Sequence, residues 1–259
     1  VETEEREQVF RTALKLEYEG TAYAGFQWQP DQRTLQSALE EAVLKLYGRP
    51  IRIIGSGRTD SGVHARGQVL HYDAPKKLPV RNVQLALNSY LPRDIRVLSA
   101  AYPEPSFHAR FDAVQRHYSY QILLRPTALE RSFAWTLFDL RNSGILLELA
   151  PVFRGEHDFS SFCSVHTEAE HKMCIVSQSR WDLDGEHLTY RISANRFLHS
   201  MVRMIVGTMI QLARKGKNSS DLQSLLGAKQ KDPLIFTAPA CGLFLDRVEY
   251  AADIFSNKD

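Results

Sequence analysis

The feature that most limits the fold of this 259-residue chain is an alternation of strand-like and helix-like stretches whose order, β-α-β-β-α-β, occurs twice. In the first pass, Thr12 to Tyr18 alternates apolar and polar residues as a half-buried strand does. Thr34 can cap a helix that runs to Tyr47 with Leu35, Leu39, Val43 and Leu46 at helical spacing, stopped by Gly48 and Pro50. Ile51 to Ile54 and Gln68 to Tyr72 read as strands, Val80 to Tyr90 as a helix ended by Pro92, and Ile95 to Ala101 as a strand. The second pass runs from a strand at His117 to Leu124 and a helix at Ile145 to Phe153. A hairpin of Met173–Trp181 and Leu188–Ile192 across Asp184-Gly185 follows, then a long helix at Phe197 to Ala213 and a last strand at Leu243 to Tyr250. Ser219 to Leu226 adds a short extra helix. This order predicts an α+β fold of two ferredoxin-like halves, each an antiparallel sheet backed by helices, joined around a central cleft. The expected divisions are an acidic flexible tail over 1–11, an N-terminal half over 12–110 and a C-terminal half over 111–259.

Composition narrows the class without choosing a function. The chain is 44% hydrophobic and 24% charged, as folded proteins are, and no apolar run approaches the ~18 residues of a membrane span. Its acidic first ten residues lack the layout of a signal peptide. Cys163, Cys174 and Cys241 cannot all pair and show no CxxC spacing, which points to reduced thiols in a cytoplasm and away from a disulfide or zinc scaffold. Residues 1–10 carry four Glu and one Arg, so the net charge of +2 leaves +5 on the rest of the chain. A mildly basic body suits a polyanion and also suits many metabolic enzymes. The aromatic strand signature of an RNA-recognition motif is absent.

The segment most suited to chemistry is Gly55-Ser56-Gly57-Arg58-Thr59-Asp60-Ser61-Gly62-Val63-His64-Ala65, between two short strands. It is neither a dinucleotide fingerprint, because Asp60 holds the third glycine position, nor a P-loop, because no Lys follows Gly62. It offers one carboxylate among glycines with an Arg two residues before it. Glycines allow a sharp turn and close approach of a flat ligand. An arbitrary Asp in such a loop is usually a turn or cap residue. A nucleophilic carboxylate must be ionised and aimed, which a nearby Arg favours. Between the first strand and the first helix, Gly20 to Pro30 forms an aromatic loop.

Gly57 to Ala65, followed by Gly67-Gln68-Val69, resembles the signature of the TruA family of tRNA pseudouridine synthases, with Ser61 where that family usually has Ala. Four further blocks resemble the family in order: Phe107-His108-Ala109-Arg110-Phe111 with Arg116, Tyr118 and Tyr120; Phe153 to Phe162; Phe197-Leu198, Met201-Val202-Arg203 and Val206-Gly207-Thr208; and Pro239 with Gly242 to Leu245, Val248 and Tyr250. After Cys174 the chain lacks the Arg common in the family.

The resemblance implies isomerisation of uridine to pseudouridine at positions 38, 39 or 40 of the tRNA anticodon stem-loop, by a cytoplasmic homodimer without cofactor, metal or membrane. It makes Asp60 the catalytic carboxylate in the cleft, attacking C1′ or the uracil ring or assisting glycal formation. A flipped base needs an aromatic platform, and Tyr118 matches the family's stacking tyrosine, although Tyr118 and Tyr120 share a strand face and one of them can be plain core. Arg58 would hold the space left by the base or bind phosphate. Leu245 would line the uracil pocket, with Leu243 as the competing register.

Arg203 interrupts an apolar helix. It either lies with His199, Gly207 and Gln211 on a solvated stripe at i, i+4 spacing or, as the resemblance favours, pairs with Asp60. His64, Arg66, His108 and Arg110 are candidate RNA contacts within a wider basic set that includes Arg49, Arg52, Arg116, Arg196, Arg214, Lys215 and Lys217. A binding protein without turnover and a carboxylate hydrolase are the competing classes; the latter usually places two carboxylates about the bond.

Overall fold

The computed structural model describes residues 8–140, 142–165, 167 and 169–256. Most of the expected acidic tail, residues 1–7, lies outside the described residues, as does His166. The chain forms two compact units, Val1–Val114 with Val248–Asp259, and Gln115–Arg247.

In the first unit the elements are β1 (Phe10–Tyr18), α1 (Leu35–Tyr47), β2 (Ile54–Gly55), β3 (His64–Ala74), α2 (Val80–Tyr90) and β4 (Ile95–Ala101). The strands lie in the order β4-β1-β3-β2 and each neighbouring pair is antiparallel. That is the ferredoxin-like arrangement, in which each β-α-β crossover skips one strand. Thr34 caps α1 by accepting from Ser37 N–H, and the Ser37 hydroxyl accepts from Thr34 N–H in return. Gly48, at φ 75°, closes the other end in the left-handed conformation that favours glycine. Tyr47 of α1 meets Tyr72 of β3 edge-on, with ring centroids 6.0 Å apart. Strand alternation turns Val69 to the other face, where Ala13, Val69, Phe107 and Ala109 form a core covered by Val248, Tyr250, Ile254 and Phe255.

The second unit holds β5 (Ala113–Leu123), β6 (Trp135–Thr136), α3 (Ile145–Leu149), β7 (Gly155–Asp158), β8 (Met173–Asp184), β9 (His187–Ala194), α4 (Met201–Arg214) and α5 (Ser219–Gly227). The first residues of β10 (Leu243–Tyr250) complete it. The order β10-β5-β9-β8 repeats the first unit's pattern, with β7 added beside β8. The expected α+β class, with two ferredoxin-like β-α-β-β-α-β halves, is the fold observed.

Several element boundaries differ from the sequence reading, each for a local reason. The strand expected over Ile51–Ile54 contracts to the two residues of β2, while β3 begins at His64, inside the signature segment. The helix expected over Ile145–Phe153 is α-helical only to Leu149 and continues as a 3-10 turn over Ala150–Phe153, because Pro151 has no N–H to donate. α4 starts at Met201 and not at Phe197, since Ser200 sits at φ 60° and breaks the helical run.

Candidate active site

Asp60 lies on a segment that is fastened from three directions. Gln68 on β3 holds the entry: its amide nitrogen donates to Gly57 O (3.0 Å) and its Oε1 accepts from the Ser56 hydroxyl (2.6 Å). Ser56 N–H donates to Val69 O. From β1, the Tyr18 hydroxyl shares a buried 2.8 Å hydrogen bond with the Thr59 hydroxyl. Burial pushes the Tyr18 phenol up to about 12, so it stays protonated and polar contact is retained at physiological pH. From the loop after β1, Phe26 N–H donates to Thr59 O (3.0 Å), and the Ser61 hydroxyl donates to Tyr23 O (3.1 Å). Ser61, the small departure from the family signature, thus adds a bond that an Ala would lack.

Two glycines allow this close approach. A Cβ on Gly20 would lie 2.0 Å from Val63 O, and one on Gly25, at φ 103°, would lie 3.0 Å from Thr59 O. Within the segment, Val63 N–H donates to Asp60 O and Gly62 turns the chain at φ 78°. The result holds Asp60 half-buried between exposed Arg58 and exposed Ser61. Tyr18, Gly20, Gly25 and Phe26 hold the segment from outside the motif, whereas Gln68 lies within the signature itself. For Gly20, Gly25 and Phe26 the signal was the aromatic, glycine-bearing loop over Gly20–Pro30.

Other expected residues of the first unit fall in different settings. His64 is 1% exposed and its Nδ1 accepts from Gly20 N–H at 3.1 Å. A ring so enclosed fastens the loop to β3. Arg66 is exposed on β3. His108 is half-buried, edge-on to His71 at 4.7 Å and stacked on Phe111 at 4.3 Å. Exposed Arg110 holds its guanidinium 5.6 Å from the Phe111 ring centroid.

In the second unit, Tyr118 on β5 is 9% exposed and its ring meets Phe197 edge-on at 5.0 Å. Tyr120, two residues on, is fully buried and donates to Pro239 O (2.7 Å), which makes it the core member of the pair. His117 takes the opposite face of the strand, bonded through Nδ1 to the Ser193 hydroxyl (2.7 Å), in an open polar groove of about 500 Å³ also lined by Gln178, Arg180 and Arg191.

Arg203 on α4 is half-buried and donates from Nε to Ala238 O (2.8 Å), while Ala238 N–H donates to Arg203 O. Gly207, one turn on, is buried under the same segment: a Cβ there would lie 2.0 Å from Phe236 O. The chain around Phe236–Ala238 thus covers Gly207 and meets Arg203, while His199 is exposed and Gln211 half-buried. Leu245 on β10 is fully buried, and Leu243 nearly so.

A protein-family model described as tRNA pseudouridine synthase matches residues 15–112 and 149–251, which take in both Asp60 and Arg203. The chain belongs to the tRNA pseudouridine synthase family. It is 37% identical over 239 residues to the tRNA pseudouridine synthase A of Bacillus pumilus, covering 91% of this chain and 97% of that protein. It is 38% identical over 240 residues to that of Halalkalibacterium halodurans, covering 92% and 91%, and 39% identical over 245 residues to that of Bacillus subtilis, covering 93% and 99%. As a member of the family the chain is an enzyme that isomerises uridine to pseudouridine in tRNA. Among the described residues no helix is long and apolar enough to cross a membrane.

Proposed function

We propose that this tRNA pseudouridine synthase acts at positions 38, 39 and/or 40 of the anticodon stem-loop, with Asp60 as the catalytic carboxylate. The observation that carries the reading is the fastening of the Gly57–Gly62 segment by Tyr18, Phe26 and Gln68, which sets one half-buried Asp on a firmly held stretch of backbone. A fixed, partly desolvated carboxylate is what nucleophilic catalysis by Asp requires.

The reaction breaks the N1–C1′ bond of uridine, turns the uracil, and joins C5 to C1′; C5 gives up its proton and N1 gains one, so no donor or oxidant is consumed. Asp60 attacks C1′ or the ring, or promotes a glycal. The target base must leave its stack to be reached. In this reading Tyr118 supplies the platform, with its ring already steadied by Phe197, and Leu245 lines the uracil pocket. Arg58, exposed two residues before Asp60, occupies the gap left by the base or binds a neighbouring phosphate. Arg203 acts on Asp60 as an ion-pair partner, with its Nε already oriented by Ala238 O. Arg66, His108 and Arg110 add phosphate contacts by shape and charge.

The reading includes a homodimer that grips one tRNA, and a cytoplasmic location, where three unpaired cysteines are at home. Mapping pseudouridine in an unmodified tRNA transcript after incubation with the protein tests the assignment. New pseudouridine at 38, 39 or 40 supports it, pseudouridine elsewhere moves the site, and free uracil makes the chain a hydrolase.

A further inference from the structure

We infer that Trp28 is a stacking platform for an unpaired nucleobase of the RNA substrate, beside the uridine that reacts. The inference rests on the proposed function and adds a positioning residue to it.

Trp28 is 53% exposed, on the loop between β1 and α1. Among the described residues no ring or cation packs on its indole, and the indole N–H has no protein acceptor. Its backbone, in contrast, is tightly held. Trp28 N–H donates to Oε1 of Gln36 (2.9 Å), a buried side chain whose amide nitrogen is itself committed to Glu40. The next residue, Gln29, reaches back to Ala24 O (2.8 Å). Leu35 N–H and Gln36 N–H donate to Gly25 O and Phe26 O, which bolts the loop to the first turn of α1. The same loop bonds to the catalytic segment at Thr59 through Phe26 N–H. Chain geometry then limits the Cα of Trp28 to within about 18 Å of that of Asp60, a span of a few nucleotides.

A large flat ring left open to water on a rigid frame, one step from the carboxylate, suits one occupant best. Bases of single-stranded RNA stack on such rings whatever their identity, because every base has a π face. The indole N–H adds a donor for a ribose or phosphate oxygen. Phe111 is more exposed but already stacks on His108.

The test uses the full chain, an anticodon stem-loop RNA, and Trp28→Phe and Trp28→Ala. Three tryptophans are present, and Trp181 is buried. RNA is expected to quench an exposed emission component in the parent protein that is absent from Trp28→Phe. A blunt-ended, fully paired RNA duplex should leave that component unquenched. Trp28→Ala is expected to raise KM about ten- to a hundredfold with kcat little changed and the thermal midpoint unmoved, and Trp28→Phe to recover most of the loss. Equal quenching in the parent and Trp28→Phe, or a KM for Trp28→Ala within twofold of the parent, would overturn the inference. RNA-dependent quenching of Trp28 without any pseudouridine formed would instead sink the proposed function and leave the stacking role standing.

Discussion

Gly20 shows how closely the chain after β1 packs on the segment that bears Asp60. Its missing side chain is what lets β1 and Val63 touch, since a Cβ would stand 2.0 Å from a backbone oxygen that has no freedom to withdraw. Gly20→Ala is expected to cost about 1–3 kcal/mol of stability and to lower turnover, because the strand bearing Tyr18 and the loop bearing Asp60 must part. Urea unfolding and single-turnover rates measure the two effects, and an unchanged unfolding midpoint would show that the contact is slack. Tyr118 separates ring from hydroxyl. Stacking belongs to the ring, so Tyr118→Phe is expected to bind RNA normally and Tyr118→Ala to lose about 1–3 kcal/mol of binding. Indistinguishable, near-native turnover of the two variants would make Tyr118 a core residue. At this scale the motif disclosed Asp60 and Arg58, because a lone carboxylate among glycines is a local pattern. Tyr18 and Thr59 are 41 residues apart, and no local pattern announces a bond of that separation. The bond from Gly20 N–H to His64 was hidden for a similar reason, since the two residues lie 44 apart.

Between elements, His71 ties the segment after β4 to β3. Its Nδ1 accepts from Ala109 N–H at 3.1 Å, which requires the neutral ring. Burial first, then the Arg11 charge, then His108, push the imidazole down to about 4, against smaller opposing effects of Asp73 and Asp112. An unfolded histidine titrates near 6.5. Because the folded value is the lower one, the unfolded chain binds more protons between them, and stability falls as pH drops through that window. His71 therefore contributes fully above about pH 6.5 and progressively less down to about 4. Unfolding free energy between pH 7.5 and 4.5 is expected to fall less in His71→Phe than in the parent, and exchange of the Ala109 amide to quicken in the parent below pH 5. Parallel pH profiles for the two proteins would remove His71 as the cause. Long amphipathic elements such as α1 were legible because Leu35, Leu39 and Val43 repeat at helical spacing and are buried. β6 and β7 were not, because strands of two and four residues carry too little periodicity to separate from loops, and β2 was read with shifted bounds for the same reason.

For the whole molecule, one topology used twice explains why the order of elements was readable before any contact was known. The β-α-β-β-α-β pattern admits few antiparallel solutions, and both units adopt the same one. The return of Val248–Phe255 to the first unit was not readable, since it depends on Tyr250 donating to Ala109 O and packing on Phe107. The carboxylate assignment is the claim on which the functional account turns, and it is tested most directly by quantifying pseudouridine in an anticodon stem-loop transcript treated with the parent protein or with Asp60→Asn. The amide keeps the shape and the loop contacts while losing the nucleophile. RNA binding is expected to be retained and pseudouridine to be formed by the parent alone. Appreciable pseudouridine from Asp60→Asn, in a sample verified free of deamidation at position 60, would contradict the account.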